Sequence, residues 1–67
     1  MKGAAEILRE ATGDLHKGET LERAVGRIVR RNGGTYEDYT QIMGFVRDLA
    51  ARERLTPLQA ARKLAQR

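Results

Sequence analysis

The spacing of helix-punctuating residues constrains this chain more than any other feature. Four of its five threonines (Thr12, Thr20, Thr35 and Thr56) stand beside Gly13, Gly18, Gly33-Gly34 and Pro57, between segments with helical apolar spacing. A threonine hydroxyl accepts a hydrogen bond from an orphan N–H at a helix start, and glycine takes the left-handed cap at a helix end. The pattern predicts an all-α fold: a small bundle of four short helices, about 3–12, 20–31, 36–53 and 57–66, with no β-sheet, in one domain spanning 1–67.

The apolar residues agree with that division. Ala4, Ile7, Leu8 and Ala11 recur at i, i+3, i+4 and i+7, the stripe of an amphipathic helix that Gly13 is expected to stop. Gly13 to Gly18 reads as a loop, with Asp14 suited to a local turn. Leu21, Ala24, Val25, Ile28 and Val29 fill the second stripe. Glu19 and Glu22 at its start and Arg30 and Arg31 at its end suit the helix dipole. Thr35-Tyr36-Glu37-Asp38 resembles a capping box, and Tyr39, Ile42, Met43, Val46, Leu49 and Ala50 form the third stripe. Thr56-Pro57-Leu58-Gln59 combines a threonine cap, proline at the first helical position and a glutamine able to close the box. Leu58, Ala61, Leu64 and Ala65 are expected to face inward. Glu19→Arg23 and Asp48→Arg52 have the i,i+4 order that supports helices.

Size limits the function. Sixty-seven residues bury only about 60% of the surface exposed when unfolded, and one such core supplies roughly 3–5 kcal/mol. There is no cysteine for a disulfide or thiolate site, and His16 is the only histidine, too few for a zinc site. No metal and no cofactor is therefore expected. A partner or self-association remains as the supplement, unless helix packing suffices. No apolar run approaches the roughly 20 residues of a membrane span, and Glu6 and Arg9 interrupt the N-terminus too early for a signal peptide. No membrane partner is expected, and a cytoplasmic location follows by default.

Catalysis finds little support. The chain contains neither serine nor cysteine. No threonine, lysine, tyrosine or carboxylate has a recognisable base beside it. Gly13 to Thr20 has the glycine frame of a phosphate-binding loop, but Glu19 stands where lysine is required and a helix precedes it instead of a strand. Glu6/Glu10, Glu19/Glu22, Glu37/Asp38 and Asp48 read as helix starts and solvated faces. Neither an enzyme nor a small-molecule substrate is inferred.

Surfaces remain. Thirteen basic residues against nine acidic ones leave a net charge of +4, which suits nucleic acid or an acidic protein face. Arg23, Arg27 and Arg30 share the outer face of the second helix, with Arg31 at their edge and the mid-helix Gly26 on the flank. Gly26 leaves two readings open: a glycine merely tolerated on an exposed face, the heavier one, or a seat where a phosphate strand or partner helix approaches. Arg62, Lys63 and Arg67 would extend the patch if the second and fourth helices pack together. Thr56 to Ala65 resembles the first helix of a helix-turn-helix, in its Thr-x-x-x-Ala-Ala-x-x-Leu pattern, but no recognition helix follows. The other register, the second and third helices, would open its recognition helix with Glu37 and Asp38, unfavourably for phosphates. On the third helix Phe45 lies off the apolar stripe beside Gly44. Gly44, Phe45, Asp48 and Arg52 form a candidate protein interface, for a different protein or a second copy. The leading expectation is a non-catalytic protein-binding module, and the alternative is a basic nucleic-acid-binding protein.

Overall fold

The computed structural model describes residues 1–67 and contains four α-helices and no strand. They are α1 (Ala4–Gly13), α2 (Leu21–Arg31), α3 (Tyr36–Glu53) and α4 (Pro57–Ala65). Each helix packs mainly on two others, in the cyclic order α1, α2, α3, α4 and back to α1. The helices α2 and α4 are thus diagonal, and their basic faces do not merge into one patch.

Three threonines perform the expected capping. Thr20 accepts from the Arg23 N–H at 3.2 Å, Thr35 from Asp38 at 3.2 Å and Thr56 from Gln59 at 3.1 Å. Both capping boxes close, since Asp38 Oδ2 and Gln59 Oε1 accept from the cap residues' own N–H at 2.8 and 2.9 Å. Such a cap contributes about 1 kcal/mol. Thr12 and Gly13 behave differently from expectation. Thr12 lies inside the last turn of α1 and donates its hydroxyl to Leu8 O at 2.8 Å, while Gly13 is the last helical residue and Asp14 follows it.

The end of α2 is a Schellman turn. Gly33 sits at φ +76°. Its N–H donates to Arg30 O at 3.1 Å and the Gly34 N–H to Val29 O at 2.8 Å, satisfying two terminal carbonyls. The helix α3 ends on Arg54, in the left-handed region at φ 55°, with the Leu55 N–H donating to Ala50 O at 2.9 Å. Arginine is an unfavourable residue there.

The core contains only apolar side chains, among them all five stripe residues of α2. Full burial of an aliphatic side chain such as Ile28 contributes about 1.5–3 kcal/mol before chain entropy is subtracted. The α4 stripe is shifted from the expected one: Ala60, Ala61 and Ala65 are buried, whereas Leu58 and Leu64 are half-buried at the margin. Small side chains let α4 press closely on α1 and α3. Arg9 on α1 fastens its far end, donating from Nε and Nη2 to Ala65 O at 3.1 and 2.8 Å.

Candidate functional site

A groove of about 910 Å³ runs along the outer side of the α2–α3 corner. Arg23, Arg27, Arg30 and Arg31 supply one wall from α2. Tyr36 and Tyr39, one helical turn apart at the start of α3, supply the other. Their rings stack with centroids 5.8 Å apart and planes at 27°. Glu19 and Glu22 also line the groove, so four arginines face two glutamates and the lining is net positive.

Local sequence explains the shape. The Gly33-Gly34 turn brings the α3 start back against α2, and Thr35 caps α3 so that Tyr36 is its first residue. Tyr39 then lies over Gly26: a Cβ added there would stand 3.7 Å from Tyr39 Cε1. The group that approaches Gly26 is therefore this chain's own tyrosine. Gly34 is tighter, because a Cβ there would meet Val29 Cγ1 at 2.6 Å and Val29 O at 3.1 Å, besides the Met1 thioether.

The four arginines are not equivalent. Arg27 donates from Nε and Nη2 to the two carboxylate oxygens of Glu19 at 3.1 and 2.9 Å. It also donates from Nη1 to Asp14 Oδ2 at 3.1 Å and from Nη2 to Asp14 O at 2.7 Å. Glu19 further accepts from the His16 N–H at 3.0 Å, and only 13% of its side chain is exposed. The bidentate Arg27 guanidinium, with help from that N–H, pulls the Glu19 carboxyl down to about 2. In return the Glu19 and Asp14 carboxylates hold Arg27 above its already high value. Glu19 thus serves Arg27 eight residues on, and not Arg23 as its i,i+4 position suggests. Arg31 pairs with Glu10 at 3.3 Å and lies 3.8 Å from Asp14. Lys2, then Arg31, lower the Glu10 carboxyl. Arg23 and Arg30 are exposed and have no acid within ion-pair reach.

The remaining candidates lie elsewhere. Arg62, Lys63 and Arg67 are exposed on or just beyond α4. Lys63 pairs with Glu53 and lowers its carboxyl. Arg62 borders a shallower hollow with Arg9, Thr12 and Gly13. On α3, Phe45 is 45% exposed and is not among the side chains packed on the core. A Cβ on Gly44 would meet only open space, and Asp48 and Arg52 are exposed without an ion-pair partner. His16 is a loop residue, 60% exposed and 3.8 Å from Glu19.

Sequence reasoning missed the tyrosine pair as part of a site, although its i,i+3 spacing was visible. The chemistry on offer is recognition: two unpartnered guanidinium groups for anions and an exposed ring for stacking. No three acids, histidines or cysteines cluster to hold a metal. No protein-family model, curated protein or solved structure matches the chain.

Proposed function

We propose that this protein is a non-catalytic binding module that holds nucleic acid by its phosphates in the α2–α3 groove. The observation that carries the proposal is that Arg23 and Arg30, lining that concave and net positive surface, lack any acidic partner. Guanidinium groups left unneutralised are available for bidentate phosphate contacts. Arg27 and Arg31 add field to the groove while anchoring the chain beneath it. Such contacts position the ligand without reading its sequence. A cytoplasmic setting accords with such a ligand.

Mobility shift against mixed-sequence DNA and RNA at about 50 and 200 mM salt tests the proposal. Two to four phosphate contacts weaken duplex binding about 10- to 150-fold across that range. The double variant Arg23→Glu/Arg30→Glu abolishes retention, whereas Arg62→Glu on the opposite helix leaves most of it. Absence of retention at the lower salt removes the proposal.

A second reading has its own observation. Phe45 stands out of the core on a face with Gly44, Asp48 and Arg52, a surface suited to another protein or a second copy of this chain. In that case Phe45→Ala damages association more than the arginine changes do, with mild salt dependence. Sedimentation tests self-association, and a folded monomer in dilute solution counts against a homodimer.

A further inference from the structure

Resting on the phosphate contacts proposed above, we infer that the groove selects single-stranded over duplex nucleic acid by stacking one unpaired base on Tyr36. Tyr36 is 77% exposed. It is not loose, however. Its ring stacks on Tyr39, which packs against the core over Gly26. The pair is thus a supported platform, and a base laid on Tyr36 extends an existing stack.

The same site presents phosphate contacts opposite that platform. Arg23 and Arg30 are two turns apart on α2, about 10 Å along the axis at 1.5 Å per residue, so the backbone of one strand can be held at two points. Aromatic platforms beside a positive groove are the physical requirement for sequence-tolerant single-strand binding.

A duplex lacks what the platform needs, because its base faces are covered by their neighbours. Reading a duplex through the major groove requires a protruding helix or β-ribbon. Here the arginines line a hollow, and α3 opens with Glu37 and Asp38, the latter already held in the Thr35 capping box. Those carboxylates oppose insertion of the α3 start between phosphate strands.

Fluorescence anisotropy with labelled 12-mers of oligo(dT), oligo(dA) and oligo(rU), and with a 12-base-pair duplex, tests the inference. At about 100 mM salt the single strands bind at least tenfold tighter than the duplex. Tyr36→Ala weakens single-strand binding by about 5- to 150-fold, the range of one lost base stack, and leaves the salt slope unchanged. Tyr36→Phe restores the affinity, since stacking needs the ring and not the hydroxyl. Arg23→Gln/Arg30→Gln instead lowers the slope by roughly 0.7 per lost contact. Circular dichroism of each variant establishes that it is folded.

Equal affinity for duplex and single strands, with Tyr36→Ala inert, overturns the stacking inference and leaves the phosphate proposal standing. Failure of every oligonucleotide to bind overturns both. An oligo-glutamate peptide bound as tightly as oligo(dT) also overturns the inference, because it makes the groove a general seat for acidic chains.

Discussion

Arg23 and Arg27 stand one turn apart on the same helix and line the same groove, yet they have opposite employment. Arg27 reaches back across the α1–α2 connection and fastens it at Glu19 and Asp14, through four hydrogen bonds to three carboxylate oxygens and one backbone carbonyl. Arg23 reaches into solvent. The difference does not come from the residue or from helix geometry. It comes from where the preceding loop returns, and that loop passes beside position 27. Identical charges on one face therefore divide into a structural buckle and free cations. Charge counts along a helix overstate a binding surface wherever a loop supplies acids.

The largest expected effect separates these two roles. Arg27→Gln leaves the poorly exposed Glu19 carboxylate without its bidentate partner and releases the Asp14 end of the loop. Its melting temperature should fall further than that of any other single arginine variant of α2. Arg23→Gln and Arg30→Gln should stay within about 0.5 kcal/mol of wild type. Thermal melts of the three variants side by side decide the matter, and equal melting points would erase the distinction.

Acid sharpens the same comparison. The Glu19 carboxyl titrates at about 2 in the folded protein against an ordinary 4.5. Between those values the unfolded chain takes up a proton that the folded chain refuses, so falling pH favours unfolding. This contribution is fully present above about pH 4.5 and is lost as pH falls through about 2. The Glu10 and Glu53 carboxyls, lowered mainly by Lys2 and Lys63, act with the same sign. Arg27→Gln should therefore flatten the acid limb without abolishing it, whereas Arg23→Gln should leave its shape unchanged. Urea midpoints measured from pH 6 to pH 2 give both curves.

A smaller effect tests the corner that holds Tyr36 against the free arginines. In Gly34→Ala the new methyl would lie 2.6 Å from Val29 Cγ1 and 3.1 Å from Val29 O. The Met1 side chain, also in the way, can swing aside. Val29 is 2% exposed and its carbonyl accepts the Gly34 N–H, so neither can yield freely. Overpacking of this kind costs about 1–3 kcal/mol, a large share of the roughly 3–5 kcal/mol such a core supplies. A neutral result in urea denaturation would mean that the α2–α3 corner is looser than this geometry requires.

What the sequence discloses about this molecule follows from the range of each interaction. The stripe Leu21, Ala24, Val25, Ile28 and Val29 was fully legible, and so were the Thr20, Thr35 and Thr56 caps, because both depend on residues within a turn or two. Four helices and their approximate limits come with them. The α4 stripe was half legible. A row of alanines and leucines has several inward faces, and the packing of α4 on both α1 and α3 leaves Ala60 buried and Leu58 at the margin. The Arg27 buckle spans 8 and 13 residues and the Arg9 contact to Ala65 O spans 56. No local period records such pairs. For the site, Arg23 and Arg30 were legible as outward charges. That they alone of the four are unpaired depended on where α1 and the loop after it place Glu10, Asp14 and Glu19. Gly26 was open to a close approach or to mere tolerance on an exposed face, and only the packing of α3 on α2 identifies Tyr39 as its neighbour.

Gly26 offers the finest test, because it lies where the two regions meet. Its backbone is helical, and an added Cβ would lie 3.7 and 3.8 Å from Tyr39 Cε1 and Cδ1, an ordinary contact distance. Gly26→Ala should then stabilise the protein by about 0.5–1 kcal/mol through the lower entropy of the unfolded chain and better helix propensity. The urea midpoint should rise accordingly. Binding separates two uses of this glycine. If phosphates are held by Arg23 and Arg30 above a floor already covered by Tyr39, oligo(dT) affinity should stay within about twofold, well under the tenfold of 1.4 kcal/mol. If a ligand reaches the α2 backbone, affinity should fall while stability rises, and Gly26 would become part of the recognition surface instead of a seat for the tyrosine.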